Sequence, residues 1–288
     1  MKILLFGCNG QVGWEAQRTL ACLGDVVALD QGQVDFLHPE KLKSIVADIK
    51  PDVIVNAAAY TAVDKAESEP EIARMINAVA PGELAAQARK INSTFIHFST
   101  DYVYDGTKGS PYSENDGTNP INVYGQTKLD GDRAIEQVGG EYLIFRTSWV
   151  YSMRGDSFVR KVLSWARQNE TLRIVDDQVG SPTWARMLAE TTALVLAKGK
   201  DVVRENAGLY HLAGEGSASR FEWAKLILEL DPNREEQKVK ELETVKTSEF
   251  PTPARRPLFT ALGCDKIIKV FGVQLPNWET ILSMVMGS

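Results

Sequence analysis

Ile3-Leu4-Leu5-Phe6-Gly7-Cys8-Asn9-Gly10-Gln11-Val12-Gly13 opens on four apolar residues and closes on glycines spaced GxxGxxG. A short continuous apolar run fits a strand buried on both faces of a parallel sheet. The glycines then have separate uses. Gly7 allows a tight turn, Gly10 lets the backbone approach a pyrophosphate, and Gly13 lets the next helix lie close to the strand. The helix N-terminus faces the negative charge. This start predicts a dinucleotide site.

Asp30 extends that reading. It ends the second apolar run, Val26–Leu29, 17 residues after Gly13, where an acid is expected to bind a ribose 2′-hydroxyl. The following Gln31-Gly32-Gln33 offers no arginine for a 2′-phosphate, so charge alone favours NADH over NADPH. Further apolar runs follow at Val53–Asn56, Phe95–Phe98 and Tyr142–Phe145. Helix-length segments separate them, at Val12–Cys22, Pro39–Lys50 and Glu71–Ile91. Strand and helix alternating in this way predict βαβ units in a doubly wound, Rossmann-like parallel sheet.

Beyond residue 148 the texture changes. Turn residues recur at Gly180-Ser181-Pro182 and Pro251-Thr252-Pro253, and helices are expected at Phe158–Gln168 and Phe221–Leu230. The expected division is a dinucleotide-binding domain, 1–148, and a smaller C-terminal α/β substrate domain, 149–288. A strand at 208–212 could return to the first sheet. The mixed-charge stretch Arg234–Lys246 reads as solvated surface.

Composition narrows the class. The 288 residues are 44% hydrophobic and 24% charged, which excludes disorder and collagen-like or disulfide-stapled scaffolds. The longest uncharged run is twelve residues, Ile3 to Trp14, against the ~20 that span a bilayer. No membrane segment is expected. A net charge of −6 without a basic tail argues against nucleic acid as partner. Cys8, Cys22 and Cys264 are odd in number and share no CxxC, so a reducing cytoplasm is the expected home. Three histidines, with no HExxH and no GxSxG, argue against zinc hydrolysis and serine-triad chemistry.

Two YxxxK pairs remain, Tyr104/Lys108 and Tyr124/Lys128. The first lies in Tyr-Asp-Gly-Thr-Lys, a turn-rich stretch whose spacing fixes no geometry. The second opens a helical stretch, which puts Tyr124 and Lys128 on one face at i and i+4. A phenol titrates near ~10, and a neighbouring ammonium favours its ionised form. Ser99-Thr100-Asp101 ends the fourth strand and offers hydroxyls at the sheet's carboxyl edge, where ligands bind.

Together these stretches resemble the extended short-chain dehydrogenase/reductase superfamily, and within it the dTDP-4-dehydrorhamnose reductase family. The resemblance runs through Asn56–Glu67, Ser99–Gly106, Asn122–Lys128, Arg146–Tyr151, Asp177–Thr183 and Phe250–Pro257. It implies reduction of the C4 ketone of dTDP-4-dehydro-β-L-rhamnose with NADPH or NADH, the last step of dTDP-rhamnose biosynthesis. It implies that Gly10, Gln11, Val12, Asp30, Asp35, Phe36, Ala59, Tyr60 and Thr61 touch the cofactor. Tyr124 and Lys128 match the catalytic pair, Thr100 the assisting hydroxyl, and Asp101 and Trp149 contacts to the sugar nucleotide. Arg255 and Arg256 present adjacent guanidinium forks that suit its diphosphate.

Some relatives dimerise around magnesium held by carboxylates. Glu15 sits at one such position, but the region of a second reads Trp184-Ala185-Arg186, and no acid follows Glu279. No shared magnesium site is therefore expected, and monomer and homodimer both remain open. A 4,6-dehydratase would carry an Asp-Glu pair where Asp101 is followed by Tyr102. An epimerase on the same fold stays open, as does an inactive regulatory subunit of the kind that partners methionine adenosyltransferase.

Overall fold

The computed structural model describes residues 1–287. Six strands form the central sheet: β1 Lys2–Phe6, β2 Asp25–Leu29, β3 Val53–Asn56, β4 Thr94–Thr100, β5 Tyr142–Thr147 and β6 Gly208–His211. All pair in parallel, in the order β2-β1-β3-β4-β5-β6. The chain leaves β1 for one neighbour, β2, and then crosses to the other, β3. That reversal makes the β1–β3 crevice a topological switch point, where ligands of open α/β sheets bind.

The continuous apolar runs have a physical explanation in the pleat. Successive side chains point to opposite faces. Ile3 and Leu5 enter one hydrophobic core with Val55, Phe98 and Phe145, while Leu4 and Phe6 enter another with Ile54, Phe95 and Ile144. Helix α1, Gln11–Ala21, buries Gly13, Ala16 and Leu20, three and four residues apart on one face. Helices α2, Pro39–Ile49, and α3, Ala80–Lys90, cover the opposite core.

The segment expected as one helix, Glu71–Ile91, is interrupted. Pro70–Arg74 passes through a π-helical turn, Met75–Val79, before α3 begins. Helix α4, Val123–Val138, starts with Asn122 accepting the Gly125 N–H at 2.7 Å. Gly125, which weakens the helix by propensity, is required by contact: a Cβ there would stand 2.1 Å from the Tyr102 carbonyl oxygen.

The smaller C-terminal α/β part carries three short pairings. Val150–Tyr151 runs parallel to Thr183–Trp184, Thr171–Val175 runs parallel to Glu241–Val245, and Val179–Gly180 runs antiparallel to Ala218–Ser219. Most of Arg234–Lys246 is exposed, as expected, but the stretch also holds a strand. The backbone of Glu241–Val245 is paired, Val245 is buried, and Glu241 and Thr244 are exposed.

Tyr104 of the first YxxxK pair is fully buried. His211 Nδ1 lies 3.1 Å from the carbonyls of Tyr112 and Gly263, so it carries the ring proton and Nε2 accepts. The Tyr104 hydroxyl therefore donates to His211 Nε2 at 2.7 Å and accepts from Arg146 Nη1 at 3.0 Å. Lys108 turns away to Asp116 at 2.7 Å. Tyr104→Phe should leave both partners unpaired, lowering stability by about 1–3 kcal/mol in denaturant titration while kcat stays within a few-fold. A large kcat loss with unchanged stability would contradict this structural role.

Candidate active site

The glycine-rich start closes on itself. Gly7 has φ +78°, and a Cβ on Gly13 would lie 2.1 Å from the Gly7 carbonyl oxygen. This close approach seats α1 against the end of β1. No side chain caps α1 and no acid stands in its first turn, so its free N–H groups suit an anion. Gln11 Oε1 is buried beside them without a hydrogen-bond partner, and Val12 follows it in the same turn. The residues present fit a dinucleotide.

Asp30 lies just past β2, its carboxylate held by Asn9 Nδ2 at 2.6 Å and the Gly32 N–H at 2.9 Å. Asn9 is thus a positioning residue that the glycine pattern concealed. Asp35 is exposed and accepts the Leu37 N–H, whereas the Phe36 ring is buried edge-on against Phe6. Ala59, Tyr60 and Thr61 form the loop after β3. Asn77, from the π turn, clamps that loop by accepting the Tyr60 N–H at 2.9 Å and donating to its carbonyl at 3.1 Å. The interrupted helix thus sets Asn77 against this loop, and π turns are often found at such places.

Tyr124 stands in the first turn of α4, edge-on to Tyr102 with ring centroids 5.8 Å apart. Burial pushes its phenol above the ordinary value, and the adjacent Thr100 hydroxyl pulls the other way. Lys128 lies one turn along the same helix and is buried. Its Nζ donates to the Phe98 carbonyl at 2.7 Å and lies 3.1 Å from His97 Nε2. Burial pulls Lys128 down to about 8, against the pull of Asp132 towards the charged form. The sequence expectation, an ammonium that lowers the phenol's pKa, differs from this arrangement. Here the amine faces the sheet and burial governs Tyr124.

Asp101 is buried beyond Thr100 and accepts from Ser148 Oγ at 2.9 Å, from Thr100 Oγ1 at 3.1 Å and from Thr260. Burial raises its pKa while the three hydroxyls oppose the rise. Trp149 has φ +45°, an uncommon conformation for a bulky residue. Its ring is stacked on Trp223 at 5.6 Å, and the Arg220 guanidinium lies 3.6 Å over it. Burial pulls Arg220 down to about 10. Arg220 is a candidate functional residue that sequence reading missed, because it sits just ahead of the apolar run taken as the helix.

The two adjacent arginines separate. Arg256 Nη2 donates to Asp64 at 2.8 Å, and its Nη1 is buried without an acceptor. The Arg255 side chain is exposed, while its carbonyl accepts from Asn122 Nδ2 at 2.8 Å. Only Arg256 joins Arg220 around Tyr102, where both charges are felt. Arg186 Nε donates to Glu190 at 2.8 Å, which raises its pKa, and the charge of Glu15 adds a smaller push the same way. Among the described residues, no three His, Cys, Asp or Glu side chains gather as a metal site.

A half-buried tyrosine one helical turn from a buried lysine, beside the carboxyl end of β4 in a doubly wound parallel sheet, places the chain among the short-chain dehydrogenase/reductases. The family model described as the RmlD substrate binding domain matches residues 1–287. Over 97% of its length the chain is 46% identical to dTDP-4-dehydrorhamnose reductase of Burkholderia thailandensis, covering 96% of that protein. A solved dTDP-4-dehydrorhamnose reductase from Clostridium acetobutylicum superposes with a TM-score of 0.91 at 33% identity, over 100% of this chain and 99% of that one. Another, from Bacillus anthracis in complex with NADP, gives 0.89 at 30% identity over 99% and 98%. The chain belongs to the dTDP-4-dehydrorhamnose reductase family.

Proposed function

We infer that this chain reduces the C4 ketone of dTDP-4-dehydro-β-L-rhamnose to the alcohol of dTDP-β-L-rhamnose, using NADH or NADPH. The observation that carries the reading is Tyr124 and Lys128 on one face of α4 with the Thr100 hydroxyl beside the phenol. Gly7, Gly10, Gln11, Val12, Gly13, Asp30 and the Ala59–Thr61 loop would hold the cofactor, which supplies the hydride when bound.

The chain's own part is proton delivery and charge stabilisation. Tyr124 holds its proton firmly at rest and gives it to the ketone oxygen as negative charge builds there. Thr100, whose single proton goes to Asp101 in the absence of substrate, would turn it to the same oxygen. Trp149 and Asp101 position the sugar nucleotide, and the unsatisfied Nη1 of Arg256 with Arg220 suits its diphosphate. The free Cys8, Cys22 and Cys264 agree with a reducing compartment. No helix of the described residues is long and apolar enough to cross a membrane.

The direct test follows absorbance of the reduced nicotinamide with freshly made 4-keto sugar nucleotide. Consumption of one cofactor per rhamnose formed is expected; no oxidation of either cofactor would refute the reading. Two variants probe its ends. Asp30→Ala should narrow an NADH advantage in kcat/KM by about tenfold, the worth of one charge-assisted hydrogen bond. An unchanged cofactor ratio would remove Asp30 from the site. Arg256→Ala should raise KM for the sugar nucleotide about 10- to 100-fold and spare KM for the cofactor. Arg255→Ala should do much less, and equal effects of Arg256→Ala on both KM values would point to a structural role.

A further inference from the structure

Asn56 and His97 face each other across β3 and β4, both completely buried. Asn56 Oδ1 accepts the Ala58 N–H at 3.1 Å. Only the amide oxygen can accept, so the amide nitrogen is the atom 3.1 Å from His97 Nδ1. That nitrogen is purely a donor. His97 Nδ1 must therefore accept, and the neutral ring carries its proton on Nε2. Burial, and then Lys128, hold His97 well below its ordinary pKa, so it does not become imidazolium.

The proton on Nε2 points at Lys128 Nζ, 3.1 Å away. An ammonium has three donors and no lone pair, so a charged Lys128 sets donor against donor. A neutral amine resolves the conflict, accepting from Nε2–H and donating to the Phe98 carbonyl. We infer that His97 is a positioning residue whose tautomer, locked by Asn56, parks Lys128 as the neutral amine in the empty enzyme at mildly alkaline pH. Lys128 then takes up a proton and leaves His97 when the nicotinamide cofactor binds. This rests on the reading of Lys128 as a cofactor contact.

The surrounding groups bear on the balance. From α4, Asp132 pulls Lys128 towards its charged form, but its Oδ2 is engaged by Arg146 of β5 at 3.0 Å. Tyr124, also from α4, is neutral, β4 contributes His97 and the Phe98 carbonyl, and β3 contributes Asn56 behind His97. Burial outweighs Asp132 and brings Lys128 to about 8, within reach of ordinary buffers. The lock is also tied to the cofactor side, since the Ala58 N–H that orients Asn56 directly precedes the Ala59–Thr61 loop.

Nitrogen-15 NMR of histidine-labelled, ligand-free protein reads the tautomer. His97 should be the Nε2–H form between about pH 8 and 9, where Lys128 is the amine; an Nδ1–H form or an imidazolium there would overturn the inference. NADH binding at about pH 8.5 should then take up about three-quarters of a proton per site, measured by calorimetry in buffers of different ionisation enthalpy. His97→Gln supplies an oxygen acceptor for the ammonium, so its uptake should fall several-fold; unchanged uptake would overturn the inference. The tautomer is read without cofactor, so it is separable from failure of the cofactor role, which would appear as unchanged NADH affinity in Lys128→Met.

Discussion

Tyr124→Phe is expected to lower kcat by about 10²–10⁴-fold, the usual worth of a positioned general acid, while cofactor affinity is retained. The ring stays in place against Tyr102 because that contact is between the two rings and does not need the hydroxyl. Only the oxygen that carries the proton is lost. Burial holds the phenol above its ordinary pKa, so the parent should keep its proton through neutral pH and lose activity only on the alkaline side. Stopped-flow turnover with cofactor titration separates the two quantities. A Phe variant with near-parent kcat, or one that simply fails to bind cofactor, would remove Tyr124 as the acid.

Lys128→Met should cut kcat/KM by about 10²–10³, because one charge-assisted hydrogen bond is worth roughly 1.5–3 kcal/mol and this side chain serves cofactor and acid together. Both cofactor affinity and kcat should fall. Methionine has similar length and is content in an apolar setting, so the fold should persist. It does leave the Phe98 carbonyl and His97 Nε2 without Lys128. Unchanged cofactor affinity would show that the amine acts on the phenol alone.

The strands were legible because β1, β3, β4 and β5 are buried on both faces and so read as unbroken apolar runs, and the half-buried edge strand β2 is apolar too. The glycine start was legible because close approach leaves few alternatives to glycine. The π turn was not. Asn77 earns its place by clamping the Tyr60 backbone, and one extra residue in a helix leaves no mark on a short polar-apolar pattern. The strand Glu241–Val245 was hidden for another reason. Its pairing is made by backbone, while its mixed charges read as solvent-facing.

Within the site, spacing identified Tyr124 and Lys128 because i and i+4 fixes a shared face locally. Arg220, Asn56 and His97 act through contacts far along the chain, which local pattern does not reveal. The decoy Tyr104 illustrates the converse. Its spacing carried no geometry, yet tertiary packing made it the junction of Arg146 and His211. The arginine pair divided similarly, since adjacent residues in an extended loop point apart and only Arg256 turns towards Asp64.

The central claim is direct reduction of the sugar ketone with Tyr124 as proton donor. Cofactor deuterated at the transferred position of the nicotinamide tests it, with the product sugar read by NMR. One deuterium at C4 of the rhamnosyl ring is the expected result, formed at a much lower rate by Tyr124→Phe. Deuterium retained in the nicotinamide, or incorporated elsewhere in the sugar, would contradict the account.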